Sequence, residues 1–365
     1  MDILLFDMDG VLLKPLGYHR ALKETVRLAG ISSGYGEVQL ADEQIAQFEA
    51  LGISSEWHSS ALSMAVMVLA KHKGQDRGNG NSRSFRLDLE ELFEALAARP
   101  VGGMVIEHGV AAIEELATRA NVPASLVRRL VTHSESIQHS ATLNWFQELI
   151  LGSALYERIY HKEGQLQTES YLELYDERLL SQPLAEGIIG WVAKPGHGAG
   201  IMTNRPSSGP PGFEIGPDAG IGAGLVGLDV LPVIGLGESS WLAAQTGREV
   251  RQVTKPAREH ALVAILAASG WPLEQSLQFV GRGPTGWKAS ALQHLQDSKI
   301  TVFEDTPGGI ISVQVAGETL NELGLRVEVR KIGIAEDGAK RSALAAQCAV
   351  VYPEINQALA SLNDF

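Results

Sequence analysis

An apolar run, Ile3-Leu4-Leu5-Phe6, ends abruptly in Asp7-Met8-Asp9-Gly10. The run has no polar alternation, so it predicts a short strand covered on both faces, as in a parallel sheet between helical layers. Two carboxylates two residues apart then fall at the strand's C-terminal end, the edge where open α/β sheets bind ligands. Such a pair can hold a hard cation and supply both a nucleophile and an acid–base group. Read alone, the tetrapeptide is also a plain turn, so its meaning depends on what the other strand ends carry.

The rest of the chain divides into two regimes. From about Tyr18 to Leu184 the apolar spacing is helical, as at Ala21, Leu22, Thr25 and Val26, or at Leu89, Leu92, Phe93 and Leu96. The segment Ala61 to Leu69 reads as a buried helix. Lys73 to Ser84 is polar and rich in glycine, which predicts a mobile loop. From about Gly187 short apolar runs alternate with helices: strands at 199–202, 230–234, 300–303, 327–334 and 349–351, and helices at 257–268 and 287–297. That alternation predicts a Rossmann-like parallel sheet with helices on both faces. The first strand is then separated from the others by a large α-helical insert, giving a core of residues 1–14 and 186–365 and an insert of residues 15–185.

Several of these runs end in a reactive polar residue, and in a parallel sheet such ends share one edge. Met202-Thr203-Asn204-Arg205-Pro206 offers a hydroxyl and an amide able to donate to an anion. Lys255-Pro256 reads as a helix start, with proline at the first helical position and the ammonium adding to the helix dipole. Ile300-Thr301-Val302-Phe303 leads to Glu304-Asp305, then Thr306-Pro307-Gly308-Gly309, a second acid pair able to complete an oxygen site for Mg²⁺.

In order along the chain these are an acid pair, a hydroxyl, a lysine and an acid pair. The set resembles the four motifs of the haloacid dehalogenase superfamily of phosphohydrolases, over residues 1–14 and 186–365. The resemblance implies a helical cap inserted after the first motif, where the helical insert falls. It implies Asp7 as the nucleophile that becomes an aspartyl phosphate, and Asp9 as the group that protonates the leaving oxygen and then deprotonates water. It assigns Mg²⁺ to the carboxylates of Asp7 and Asp305 and the main-chain carbonyl of Asp9, with Glu304 assisting through bound water. Thr203, Asn204 and Lys255 would hold the transferring phosphoryl oxygens. An acid at the position of Asp9 favours phosphate monoesters over carbon–halogen or carbon–phosphorus bonds within that superfamily.

Three activities are compatible with these residues: hydrolysis of a small phosphorylated metabolite, phosphoryl transfer or mutase chemistry on the same residues, and a non-catalytic binding role on the same fold. An intact nucleophile and acid together favour the first two.

Within the insert, Phe48 to His58 resembles a Lys-x-x-Gly-Gly-x-Asn-x-Asp-Trp stretch of a subgroup of capped members. Here Ser54-Ser55-Glu56-Trp57 stands where that subgroup has Asn-x-Asp-Trp. Tyr18 and Arg20, and later Phe146-Gln147-Glu148-Leu149 with Gly152, fit the same subgroup loosely. Arg20, Glu56 and Trp57 are therefore candidate substrate contacts. Each also has a structural reading: Arg20 on a solvated face, Glu56 as a helix-start acid, Trp57 as core between helices.

Charge and composition narrow the partners. The formal charge of −13 over 365 residues argues against nucleic acid or an anionic membrane as the main partner. Cys348 is the single cysteine, which excludes an internal disulfide and favours a reducing compartment. The acidic N-terminus does not read as a signal peptide, so a cytoplasmic location is expected. The glycine-rich stretch at 220–237 is a poor membrane helix. Gly222-Ala223-Gly224-Leu225-Val226-Gly227 matches a dinucleotide fingerprint in letters only, because no convincing strand precedes it and no well-defined helix follows.

Overall fold

Ile3 and Leu5 pack into one apolar cluster, and Leu4 and Phe6 into another. A strand alternates its side chains between faces, so an unbroken apolar run is what a sheet buried on both sides requires. In the computed structural model this strand, β1 (Asp2–Phe6), lies at the centre of a six-stranded sheet. The structure describes residues 1–53, 55–73, 82–99, 105–336, 338–348 and 350–362, with only the backbone of Val105, Ile106 and Ala339.

Its partners are β4 (His197–Met202) on one side and β6 (Ser298–Glu304) on the other, both parallel. Beyond them lie β5 (Val233–Ile234), β7 (Val327–Ile334) and β8 (Val350–Tyr352), giving the order β5-β4-β1-β6-β7-β8. Phe6 is in register with Ile201 and with Phe303, so the strand ends that carry polar residues line up. The Phe6 and Phe303 rings stack at 5.0 Å and make the ends of β1 and β6 a single packed surface. The helix Arg258–Ala268 lies in one of the two clusters, and every residue from His260 to Ala268 is buried.

Two short strands, β2 (Leu13–Lys14) and β3 (Glu177–Arg178), pair antiparallel. That pairing explains why the compact core unit is Met1–Pro15 with Asp176–Phe365. The sequence pattern put the second boundary ten residues later because Gln182–Val192 is helical; that helix packs against β4 and belongs to the core. Three smaller differences have local causes. Pro232 lacks an N–H, and β5 is limited to Val233–Ile234. The helix expected at 287–297 is a 3₁₀ helix, Ala289–Leu295, with Gly286 and Trp287 in the preceding turn. Gly222 and Gly224 sit inside the helix Asp218–Leu225, and a Cβ at Gly222 would lie 2.4 Å from the Met8 sulfur. Close packing beneath Met8, and no phosphate loop, accounts for that glycine.

The second unit, Leu16–Tyr175, contains helices and no assigned strand among the described residues. The helices Leu16–Ser33, Asp42–Ala50, Glu56–His72, Ser82–Ala97, Ser125–Thr132 and Ala141–Leu151 bury their apolar stripes on one another. Phe85, Leu89, Leu92, Phe93 and Leu96 are buried at helical spacing, and Phe93 meets Phe48 edge-on at 4.8 Å. Of the loop expected at 73–84, residues 74–81 lie outside the described residues, while Ser82 to Ser84 are helical.

Glu148 explains the Phe146-Gln147-Glu148-Leu149 segment structurally. Its buried carboxylate accepts from Ser153 Oγ at 2.6 Å and from the backbone N–H groups of Gln165 and Leu166 at 2.8 Å each. It therefore ties the segment after the helix Ser153–Tyr160 back onto Ala141–Leu151. Among the described residues no helix is long and apolar enough to cross a membrane.

Candidate active site

The chain leaves β1 at Asp7, whose N–H still donates to Phe303 O at 2.9 Å, so its carboxyl is fixed at the sheet edge. Lys255 reaches that edge from the loop before Arg258–Ala268. Its ammonium lies 2.6 Å from Asp7 Oδ1 and 2.5 Å from Glu304 Oε1, with 7% of the side chain exposed. The other Glu304 oxygen accepts from Thr306 N at 3.1 Å and Thr306 Oγ1 at 3.0 Å. Glu304 thus has both oxygens engaged and works as the anchor of Lys255. Asp305, one residue past β6, faces the same space, and oxygens of Asp7, Glu304 and Asp305 lie within 4.8 Å of one another.

Two glycines make room for this cluster. Gly10 has φ +77°, and a Cβ there would lie 2.3 Å from Asp305 Oδ2. A Cβ on Gly309 would overlap Glu304 Oε1. Gly10 is therefore required by the approach of Asp305 from the other acid pair, and Gly309 by the Glu304 carboxylate of its own pair.

Concentrating acids in a buried place has electrostatic consequences. Burial first, and then Glu304, push the Asp7 carboxyl well above the usual carboxylate range, against the opposing pull of Lys255. Burial likewise raises Asp305, opposed by Lys340. Burial works against the Lys255 ammonium, but Asp7 and Glu304 outweigh it and hold its pKa above that of an ordinary lysine. Asp7 and Asp305 present hard carboxylate oxygens to one space. The donor set fits Mg²⁺ by chemistry, and the coordinating oxygens would be those of Asp7 and Asp305.

Asp9 contributes no carboxylate to this cluster. Arg205 Nε donates to its two oxygens at 2.9 and 3.1 Å, and Arg205 Nη2 to Oδ1 at 2.5 Å. The same Nη2 donates to Asp176 at 2.8 Å, whose side chain is fully buried. Arg205 sits beside Asp9 because Thr203 Oγ1 accepts from Arg205 N–H at 3.1 Å, turning the chain just after β4. Ser207 and the buried Glu238 brace the same loop: Ser207 Oγ donates to Glu238, which also accepts from Gly235 N–H. Thr203 is fully buried at the end of the strand beside β1, and Asn204 is exposed.

Lys255 does not open a helix as the proline signal implied. The Lys255–Pro256 bond is cis, Ala257 N–H closes a turn onto Thr254 O at 2.7 Å, and the helix starts at Arg258. The loop is pinned instead by Ser312 Oγ, which donates to Ala257 O at 2.6 Å.

Two residues outside the expected set enter the site. Arg205 was visible in Thr203-Asn204-Arg205-Pro206, and its place beside a chemistry-bearing strand end was the available signal. Lys340, from the helix Gly338–Ala345, lies 2.6 Å from Asp305 Oδ2. Its only sequence signal is that it follows the end of β7 by a few residues.

The three candidate contacts in the helical unit are not brought together. The Arg20 guanidinium lies 4.3 Å from the centre of the Tyr175 ring and lines a cleft of about 1080 Å³ with Lys23, Arg27, Tyr171 and others. Glu56 opens the helix Glu56–His72 and is the acid in its first turn. Trp57 is half-buried, its ring edge-on to His58 at 6.4 Å. Glu56 and Trp57 do not line the Arg20 cleft; Ser54 lies outside the described residues.

No protein-family model matches this chain. No curated protein matches it either. An X-ray structure described as a Northeast Structural Genomics Consortium target superposes with a TM-score of 0.70 at 16% identity, over 100% of this chain and 99% of that one. At that identity the likeness concerns the fold.

Proposed function

We propose that the chain is a Mg²⁺-dependent phosphatase that hydrolyses a small-molecule phosphate monoester through a phosphorylated Asp7. The observation that carries this reading is the meeting of Asp7, Lys255, Glu304 and Asp305, from three separate stretches of sequence, at one end of a parallel sheet. A nucleophile, a buried cation and two further acids are the parts that phosphoryl transfer to a carboxylate demands.

Asp7 attacks phosphorus, and the bond from phosphorus to the ester oxygen breaks. Lys255 steadies Asp7 and lies close enough to neutralise a phosphoryl oxygen brought up to it. The Thr203 hydroxyl and the Asn204 amide are the donors for the remaining oxygens. A bound divalent cation would supply Lewis-acid neutralisation of the attacking carboxylate and the phosphoryl group. Asp9, released from Arg205 and protonated from solvent, gives that proton to the leaving oxygen; it then takes a proton from the water that attacks phosphorus, the phosphorus–Asp7 bond breaks, phosphate departs, and Asp9 returns its proton to solvent as it rejoins Arg205. For both steps Asp9 turns away from Arg205, and its 36% side-chain exposure leaves room for that rotation. Arg205 acts as a positioning residue that parks Asp9 between turnovers.

The test is phosphate release from a panel of metabolite phosphates, with Mg²⁺ and with chelator, for the native chain and Asp7→Asn. Magnesium-dependent release lost in Asp7→Asn supports the reading. Release that survives in Asp7→Asn, or no release from any substrate, refutes it. Isomerisation without release would identify a mutase on the same residues.

A further inference from the structure

We propose that Lys340 is an internal counter-cation that weakens divalent-ion binding at Asp305, so that the ion and a phosphorylated ligand bind best together. This rests on the reading of Asp7 and Asp305 as a cation site.

The two ammonium groups of the site are built differently. Lys255 is buried, held between Asp7 and Glu304, and its loop is pinned by Ser312. Lys340 reaches Asp305 from a separate helix, is bonded at 2.6 Å to the oxygen that faces Gly10, and keeps 53% of its side chain exposed. Lys340 is therefore the more solvent-accessible of the two cations. Position 340 lies outside the four strand-end motifs, so its charge is additional to theirs.

Counting charges shows what it does. With these five groups ionised, Asp7, Glu304 and Asp305 bring three negative charges, and Lys255 and Lys340 two positive ones, for a net of −1 over the five. A divalent ion converts that to +1, which suits an incoming dianionic phosphoryl group. Without Lys340 the cluster would be −2, the ion would bind to neutrality, and the phosphoryl group would meet no excess positive charge. An ion held by the Asp305 carboxylate would share it with the ammonium, and a divalent and a univalent cation about 5 Å apart repel by about tenfold in affinity even at the dielectric constant of water.

The experiment is Mn²⁺ titration of the chelator-treated full chain by calorimetry, for the native protein, Lys340→Met and Lys340→Arg, with Asp7→Asn as the ligand-deficient control. Binding about tenfold tighter in Lys340→Met, with Lys340→Arg within about twofold of native, supports the proposal. Inorganic phosphate should then tighten Mn²⁺ binding more in the native chain than in Lys340→Met, because the coupling is reciprocal. Equal or weaker Mn²⁺ binding in Lys340→Met overturns it, since Lys340 would then be orienting Asp305 for the ion. If the native chain and Lys340→Met both behave like Asp7→Asn, the cluster is no cation site, and the proposal falls together with its premise. Lys340→Gln, compared by circular dichroism and the same titration, separates loss of charge from any local unfolding caused by methionine.

Discussion

Arg205→Met is the substitution whose consequence the structure quantifies best. The guanidinium is 2% exposed and pairs with two carboxylates of unlike surroundings: Asp9, 36% exposed, and Asp176, fully buried. Once the guanidinium is gone, Asp9 can recover most of its solvation, and a pair at that exposure is worth about 0–1 kcal/mol. Asp176 cannot rehydrate, and removing the cation from a buried pair costs about 3–5 kcal/mol. The loss should therefore be about 3–5 kcal/mol and belong almost wholly to Asp176.

Urea unfolding followed by tryptophan fluorescence reads this in the core unit, which holds Trp191, Trp241, Trp271 and Trp287. The double variant Arg205→Met/Asp176→Asn should regain about half or more of the loss, as a coupled pair does in a mutant cycle. Asp9→Asn should cost under about 1 kcal/mol. Arg205→Lys should rescue poorly, because a single ammonium cannot reproduce the forked contact to both acids. The reasoning is refuted if Arg205→Met costs less than about 1 kcal/mol, or if Asp9→Asn proves as damaging as Arg205→Met.

Three other outcomes follow from the same structure. Asp7→Asn should lower turnover at least about a thousandfold yet raise the stability of the chelator-treated chain by about 1 kcal/mol, because it removes a carboxyl crowded by burial and three neighbouring acids. Matched kinetics and denaturant melts check both halves, and a destabilised Asp7→Asn would contradict the electrostatic reading. His260 is buried 3.0 Å from Ser239 Oγ, and burial, then Lys255, push it down to about 3. Its folded pKa lies below the unfolded value, so folding pays no penalty above about pH 6.5 and stability drains as pH falls towards 3, by about 2–3 kcal/mol at pH 4.5. His260→Gln should flatten that acid limb in melts at pH 7 and 4.5; an unchanged slope would acquit His260. Glu148→Ala should leave the N–H groups of Gln165 and Leu166 without their acceptor, cost about 2–3 kcal/mol in the helical unit, and open residues 161–168 to limited proteolysis. Native-like cleavage rates would show that the loop is held by something else.

What could be read from the chain alone was whatever short-range chemistry dictates. Ile3 to Phe6 reads as a strand buried on two faces because the run is short, has no polar alternation and ends at once in Asp7-Met8-Asp9-Gly10. The apolar runs ending at Thr203 and Glu304 repeat that logic, and strand–helix alternation then implies one sheet edge. The helical character of the insert was legible for the same reason, since the stripe at Phe85, Leu89, Leu92, Phe93 and Leu96 is a local periodicity. Local logic also misled: Pro256 read as the first residue of a helix, but the turn around it delays the helix to Arg258.

Partner choice was decided only in three dimensions. Lys255 meets Asp7 across 248 positions of sequence and Arg205 meets Asp9 across 196. No periodicity encodes which acid a given cation will face. Asp9 and Asp7 look equivalent in Asp7-Met8-Asp9-Gly10, yet successive turns of the backbone send one to Lys255 and the other to Arg205. Lys340 is an ordinary lysine in sequence and becomes part of the acidic cluster because β7 ends two strands away from Asp7 and its following helix folds back to Asp305. Charges interact through space at distances that only packing fixes, so the acids and Lys255 were legible in the sequence, while the places of Arg205 and Lys340 emerged from the fold.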